Sequence, residues 1–439
     1  MLLHGKRRTA IALTASIGAL ALVLTGCSNS GGSTTADGKV ALSFLTDNAP
    51  ANVSLAEGLA KDFNASQDKI TVKVETRPGG SDGDNIIKTR LATGEMTDIF
   101  LYNSGSLFQA IAPEKNLVDF TNESFADNVM DSMKPVVSVK DKLYGVPVGG
   151  AFAGAILYNK KVYKDLGLTV PLTWDQYNAN NDKIKAAGKT AIIQTYKDTW
   201  TSQLDVLGDF ANVLASDPDW ATKYTENKAK YATDPVAMAG FEHLQEGFDK
   251  GYYNKDFGSA TNTDGLRILA TGEGVHYPML TSAAASIIAD YPDAAQDIGV
   301  FATPGDDPAG SALTTWFPNG LYVPAASKNV DAAKEFIAFA ASTKGCDSET
   351  KAIGVTGPYL IKGCDLPADV PAYVGDLLPY FNKDGGTQPA LEFLSPIKGP
   401  SLEQITVAVG SGITSAAEGA KQYDADVKKQ AQQLGLSGW

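Results

Sequence analysis

The sequence predicts an α/β protein whose lobes are interleaved along the chain. Three observations lead there. Strand-like apolar runs alternate with helical patterns from residue 40 onward, no Pro/Ser-rich linker interrupts residues 40–439, and no repeat of 20–50 residues occurs. The chain has 439 residues, 44% hydrophobic and 20% charged, enough apolar material for two or three folded domains.

Val40 to Leu45 is a short run of β-formers, closed by the turn Thr46-Asp47-Asn48-Ala49-Pro50. Leu55, Leu59 and Phe63 then recur at fourfold spacing, as one face of a helix does. Ile70 to Val74 alternates as a half-buried strand, and Pro78-Gly79-Gly80 ends it. A second helix carries Ile86, Ile87 and Leu91, and Ile99 to Tyr102 reads as a third strand. This βαβαβ opening implies a parallel sheet with its ligand loops at the strand C-termini. Further strands are expected at Ile156–Tyr158, Ala191–Ile193, Val275–Tyr277, Ile298–Phe301 and Leu321–Val323. Helices are expected from near Trp174, at about 200–215, 235–250 and 263–271, and from Ser401 onward. One more spans Asp331 to Ala341, with Asp331 as its expected N-cap and a stripe of Ala333, Phe336, Ile337 and Ala340.

The N-terminus carries an address. Lys6, Arg7 and Arg8 precede an uncharged stretch from Thr9 to Leu24, too short for a bilayer-spanning helix but suited to a signal peptide. Leu24-Thr25-Gly26-Cys27 resembles the lipobox of bacterial lipoproteins, which implies cleavage after residue 26 and lipidation of Cys27. Residues 27–38 are Ser-, Gly- and Thr-rich and read as a flexible tether. The expected location is extracytoplasmic, with the membrane reached only through the lipid. Cys346 and Cys364 are then left to form one disulfide, whose loop would contribute roughly 3 kcal/mol.

Charge and motif content narrow the function. A net charge of −13 argues against nucleic acid. Three histidines, His4, His243 and His276, leave little for metal sites or proton relays, and no metal or cofactor is expected. Gly79-Gly80-Ser81-Asp82-Gly83 matches G-x-S-x-G, but Asp82 and Asp84 crowd the serine and no histidine sits in a recognisable context. Gly188-Lys189-Thr190 lacks the earlier glycine of a phosphate loop, since Lys183 stands there, and is read as a helix end. Asp217-Pro218-Asp219 and Asp424-Ala425-Asp426 lack a calcium-binding loop around them. The chain is therefore not expected to be an enzyme. The rival from another class is a surface-anchored glycoside hydrolase, which needs only two suitably spaced carboxylates.

A run of segments in consistent order carries a resemblance. Thr93-Gly94-Glu95-Met96-Thr97-Asp98-Ile99-Phe100 resembles the "aaGxxPDvf" element of extracellular solute-binding proteins of carbohydrate ABC transporters, with Thr97 where proline is usual. Lys142 to Pro147, Tyr158-Asn159-Lys160, Leu166-Gly167-Leu168 and Pro171 to Tyr177 are similar to "GKxYGvP" and "YNK…lGl…P.TWdE". Gly272 to Tyr277 and Asn329 to Phe339 resemble two later elements of that family.

The resemblance implies a type II-like periplasmic-binding-protein fold: two α/β lobes, three crossings between them, and ligand in the cleft. Carried onto this chain, the crossings fall near Gly149–Ala153, Phe301–Gly305 and Gly354–Pro358. The N-lobe would then be 39–150 with 304–355, and the C-lobe 151–303 with 356–439. A monomer is implied that captures a carbohydrate, expected to be an oligosaccharide, and hands it to a permease. Sugars are gripped by aromatic faces and planar polar groups. The aromatic candidates are Phe152, Trp200, Tyr277, Trp316 and Tyr359; the polar ones are Asp47, Asn48, Asn103, Ser104 and Asn319. Trp174 is expected to be structural. An iron-binding protein of similar fold is a further rival, prompted by Tyr252-Tyr253.

Overall fold

In the first strand, β1 (Val40–Asp47), the residues from Phe44 to Thr46 are almost wholly buried, because helices cover both faces of the sheet it nucleates. The computed structural model describes residue 35 and residues 38–307 and 311–439, so the leader, Cys27 and most of the expected tether lie outside the described residues. α1 (Pro50–Ser66) opens with a proline and buries Leu55, Leu59 and Phe63. β2 (Ile70–Arg77), α2 (Gly80–Thr93) and β3 (Ile99–Tyr102) follow, and β1 pairs in parallel with both β2 and β3. The last strand before the first crossing is β4 (Gly145–Pro147).

A second sheet grows around β5 (Phe152–Asn159). α3 (Trp174–Ala186) leads into β6 (Thr190–Ile192), and α4 (Pro235–Asp249) and α5 (Asn262–Ala270) precede β7 (Gly274–Leu280). β7 runs antiparallel to β5 and parallel to β6. β8 (Ile298–Phe301) and β9 (Leu313–Trp316) lie end to end along the other edge of β5. The chain then returns to the first sheet as β10 (Gly320–Tyr322), inserted antiparallel between β3 and β4. α6 (Val330–Ala340) packs on that sheet through Phe336, whose ring meets Phe44 of β1 and Phe63 of α1 at 5.6 and 5.2 Å. α7 (Thr343–Ile353) lies against α1, α8 (Ala372–Phe381) against β8. β11 (Thr387–Pro389) pairs with β9 before α9 (Leu402–Gly410) and α10 (Ala416–Gln433) end the chain.

Several expectations need correction. The second crossing does not fall near Phe301–Gly305. β9 belongs to the second sheet, so the chain changes sheets at Phe317–Asn319. The reason is register: Trp316 stands opposite Phe152 and Gly320 opposite Tyr102. The third crossing is longer than Gly354–Pro358. Val355 packs with the second core, but Tyr359 to Ile361 pack with the first. Met130 N–H donates to Leu360 O at 2.9 Å, and Lys362 N–H to Asn128 O at 2.7 Å. The chain rejoins the second core through Leu366 and Val370, and Tyr373 of α8 is fully buried in it. The Cys346–Cys364 disulfide ties α7 to this segment. Asn329, not Asp331, occupies the N-cap of α6, and its side chain donates to Asp98 Oδ1 at 3.1 Å. The helix expected at 200–215 is broken into a 3₁₀ turn, Thr199–Gln203, and two short helices, Leu204–Leu207 and Phe210–Ser216.

The first and third crossings are bonded to each other. Ala151 N–H donates to Pro358 O at 2.7 Å and Gly150 N–H to Thr356 Oγ1 at 3.3 Å. A Cβ on Gly357 would lie 1.8 Å from Ala151 O, so only glycine fits there. Gly149 has φ +88° and donates its N–H to Glu349 Oε2 at 2.8 Å. Glu349 is 3% exposed, and burial pushes its carboxyl up to about 8. Unfolded, a glutamate ionises near 4.3. The buried carboxylate therefore penalises the fold increasingly as pH rises from the unfolded value to about 8, and constantly above it. Glu349→Gln keeps an acceptor for Gly149 and removes the charge. Calorimetry should find the variant's advantage in melting temperature larger at pH 9 than at pH 5; an equal gap at both would show that this carboxyl is not perturbed.

Candidate functional site

Three parallel strands deliver their C-termini to one edge of the first sheet: Thr46-Asp47 of β1, Arg77 of β2 and Tyr102 of β3. In sheets of this kind ligands bind outside the carboxyl ends. Burial there is incompletely satisfied. Thr46 Oγ1, Arg77 Nε, the Tyr102 hydroxyl and Ser106 Oγ are buried without a hydrogen-bond partner. Native interiors rarely leave such groups orphaned, which makes this edge a candidate for contact with another molecule. Arg77 is held by its own loop, donating to Pro78 O at 2.8 Å, with its guanidinium 5.6 Å from the centre of the Tyr102 ring.

The segment after β11 covers this edge. A Cβ on Gly105 would lie 2.7 Å from both Glu392 O and the Phe393 ring, and one on Gly80 would lie 3.6 Å from both Glu403 carboxylate oxygens. Glu403 is fixed by Thr199 Oγ1, which donates to its Oε2 at 2.8 Å. Burial raises the carboxyl of Asp84 above its usual range, while Lys398 across the gap and Arg77 beside it pull the value back. Burial also holds the Tyr102 phenol neutral, and the neighbouring Asp84 adds to that by its charge. The edge therefore combines donors, acceptors and balanced charges with aromatic faces, Phe317 packing on Phe393 at 5.0 Å.

The expected site residues divide into groups. Asn103, Ser104 and Asn319 come together where β3 runs beside β10. Ser104 is committed there, its hydroxyl donating to Pro318 O at 3.0 Å. Asp47 accepts from Ala49 N–H and from Asn52, closing the turn before α1, while Asn48 Oδ1 accepts from Gly79 N–H. Phe152 and Trp316 form a cross-strand pair, and Trp200 is half-buried in the turn beside Thr199. Two positions, Tyr277 and Tyr359, differ from expectation. Tyr277 is fully buried in the second core, its hydroxyl bonded to Thr195 and Asn262. It points inward because the strand alternation puts it on the face under α5, beside Gly265. Tyr359 packs in the first core, its hydroxyl bonded to Thr350, and serves the crossing rather than the strand edge. Trp316 is only 7% exposed, its indole bonded to Glu392. Arg77, Tyr102, Glu392, Lys398 and Glu403 carry no mark of a site in the sequence. Nothing in their local sequence distinguishes them from other charged or strand residues.

The histidines and tyrosines of the serine-hydrolase and iron-binding readings are engaged elsewhere. Ser81 lies in the first turn of α2, whereas His276 is fully buried between Tyr163 and Asn181 and kept neutral, its value pushed down to about 3 by burial. His243 stacks on Trp174 at 3.4 Å, and Trp174 donates to Glu246, the structural part expected of it. The Tyr252 and Tyr253 hydroxyls are bonded to Asp182 and to Leu244 O. Among the described residues, no group of three or more His, Cys, Asp or Glu side chains could hold a metal ion.

Comparison with known proteins places this architecture. The chain matches the family described as bacterial extracellular solute-binding protein over residues 47–345, and it belongs to that family. It is a family of binding proteins, not of enzymes. Among its relatives, the multiple sugar-binding protein of Streptococcus mutans is 24% identical over 359 residues, covering 80% of this chain and 83% of the relative. The diacetylchitobiose binding protein DasA of Streptomyces coelicolor is 28% identical over 306 residues, 68% of each. A solved chitin oligosaccharide binding protein has the same two-lobed fold, with a TM-score of 0.76 at 19% identity over 90% of this chain and 99% of its own. RafE in complex with raffinose gives 0.75 at 22% identity, over 90% and 100%.

The two tryptophans should separate on mutation. Trp200→Ala, half-buried, should weaken ligand binding by about thirtyfold, roughly 2 kcal/mol, with a small change in melting temperature. Trp316→Ala should also cost about 3–5 kcal/mol of stability, as buried tryptophans do. Calorimetric titrations and melts of both variants test this; normal ligand affinity in Trp200→Ala would remove that residue from the site.

Proposed function

We propose that the protein captures a carbohydrate, an oligosaccharide being the expected cargo, between its two lobes and delivers it to the permease of an ABC transporter. The observation that carries the reading is the cluster of orphaned polar atoms at the strand edge, flanked by aromatic residues. A polyhydroxylated, uncharged ligand suits it: hydroxyls both donate and accept, and C–H faces pack on rings. Names of relatives support the same class, including sugar-, diacetylchitobiose- and mannitol-binding proteins. The ligand-contacting set proposed is Asn48, Asn103, Asn319, Phe152, Trp200 and Trp316, joined by Arg77, Tyr102 and Glu392. The protein acts as a monomer, anchored outside the cytoplasm by lipid on Cys27, with lobes that separate to admit ligand and close over it.

A panel of raffinose, stachyose, N,N′-diacetylchitobiose and mannitol tests the binding. At one hundred times its Kd, a cognate sugar should stabilise the mature protein by about 2.7 kcal/mol, read as a rise in melting temperature. Steady turnover of a glycosidic substrate without stoichiometric binding would favour the hydrolase. For the anchor, Cys27→Ala should abolish labelling by palmitate and release the protein from the membrane fraction; retention of both label and membrane attachment would disprove lipidation at that cysteine.

A further inference from the structure

Beside the strand edge lies a buried carboxylate, Glu392, in the segment that follows β11. Glu392 has a side chain 9% exposed, and its two oxygens are treated differently. Oε1 accepts the indole N–H of Trp316. Oε2 is buried without a hydrogen bond and lies 3.5 Å from Lys398 Nζ. Carboxylate and ammonium share a narrow recess walled by Leu207, Trp316, Ile397 and Tyr423. Its open volume is about 10 Å³, room for one water-sized group and no more. The recess adjoins the strand edge: the main chain of Glu392 lies against Gly105, and the charge of Lys398 acts on Asp84 of α2.

Resting on the carbohydrate reading above, we infer that this recess receives a single hydroxyl group of the bound sugar and thereby selects which ring, in which orientation, is accepted. A hydroxyl suits both partners at once, donating its proton to Glu392 Oε2 and accepting from Lys398 Nζ. A ligand carboxylate would be repelled by Glu392 and a ligand ammonium by Lys398. The recess is too small for a ring, so the ring stays outside it and only the substituent enters. An epimer with that hydroxyl displaced leaves Glu392 Oε2 without a hydrogen-bond donor, and polar sites discriminate strongly between close analogues in this way.

The test uses the mature protein, the variants Glu392→Gln and Lys398→Met and their combination, and the sugar that binds tightest among raffinose, stachyose and N,N′-diacetylchitobiose. Gln can still accept from Trp316 while presenting a donor to the recess. Each single variant should weaken binding tenfold or more in calorimetric titration. The double variant should lose less than the product of the two, because both act on one hydroxyl. Lys398 is the more exposed partner, so its variant reports on binding even if Glu392→Gln melts low. Wild-type affinity in Lys398→Met or in folded Glu392→Gln would show a recess filled by structural water, overturning this inference alone. Wild-type protein that binds none of the three sugars overturns the carbohydrate reading and this inference with it.

Discussion

Gly150 and Gly357 meet backbone against backbone where the first and third crossings run side by side. The two crossings are bonded to each other there, Ala151 N–H to Pro358 O and Gly150 N–H to Thr356 Oγ1. Bonds of this kind matter for a hinge. Packed side chains interlock and resist rotation, whereas a few hydrogen bonds between extended segments tolerate changes in φ and ψ. α7 supplies the frame: along its length Cys346 holds the descending segment, Glu349 caps Gly149 and Thr350 bonds Tyr359. One rigid helix therefore positions both of the paired crossings.

Against that well-satisfied seam, the strand edge is costly. Each buried polar atom without a partner forfeits about 1–3 kcal/mol of hydration. The protein carries several of them together in Thr46, Arg77, Tyr102 and Ser106. The rest of the first lobe offsets the cost through a continuous aromatic core running from Phe44 through Phe336 to Phe63. The aromatic core below and the polar edge above are thus separate regions of the first lobe.

The regular elements of the first lobe could be read from residue pattern, because parallel strands buried on both faces give continuous apolar runs. The acid of the segment Thr93 to Phe100 illustrates what pattern alone conceals. Asp98 accepts from Ser43, Ser327 and Asn329, so it is a structural clamp joining β1 to the start of α6. The crossings were placed less well. Leu313–Trp316 and Gly320–Tyr322 are two short strands separated by three residues, and nothing local says that they belong to different sheets. Tyr277 misled because an aromatic in a strand has no sequence mark for the face it occupies. Glu392 and Lys398 escaped notice for the opposite reason: their environment is made by Trp316 and Tyr423, distant in the chain.

The insertion of β10 between β3 and β4 has a kinetic meaning. β4 touches its sheet only through a partner that follows more than 170 residues later, so three parallel strands and a lone edge must wait for residues 320–322. Contacts of such long sequence separation are late and slow to form. A chain whose first lobe cannot close until most of its length has been made stays threadable for that interval. For a protein of an extracellular family, that delay is written into the strand order itself.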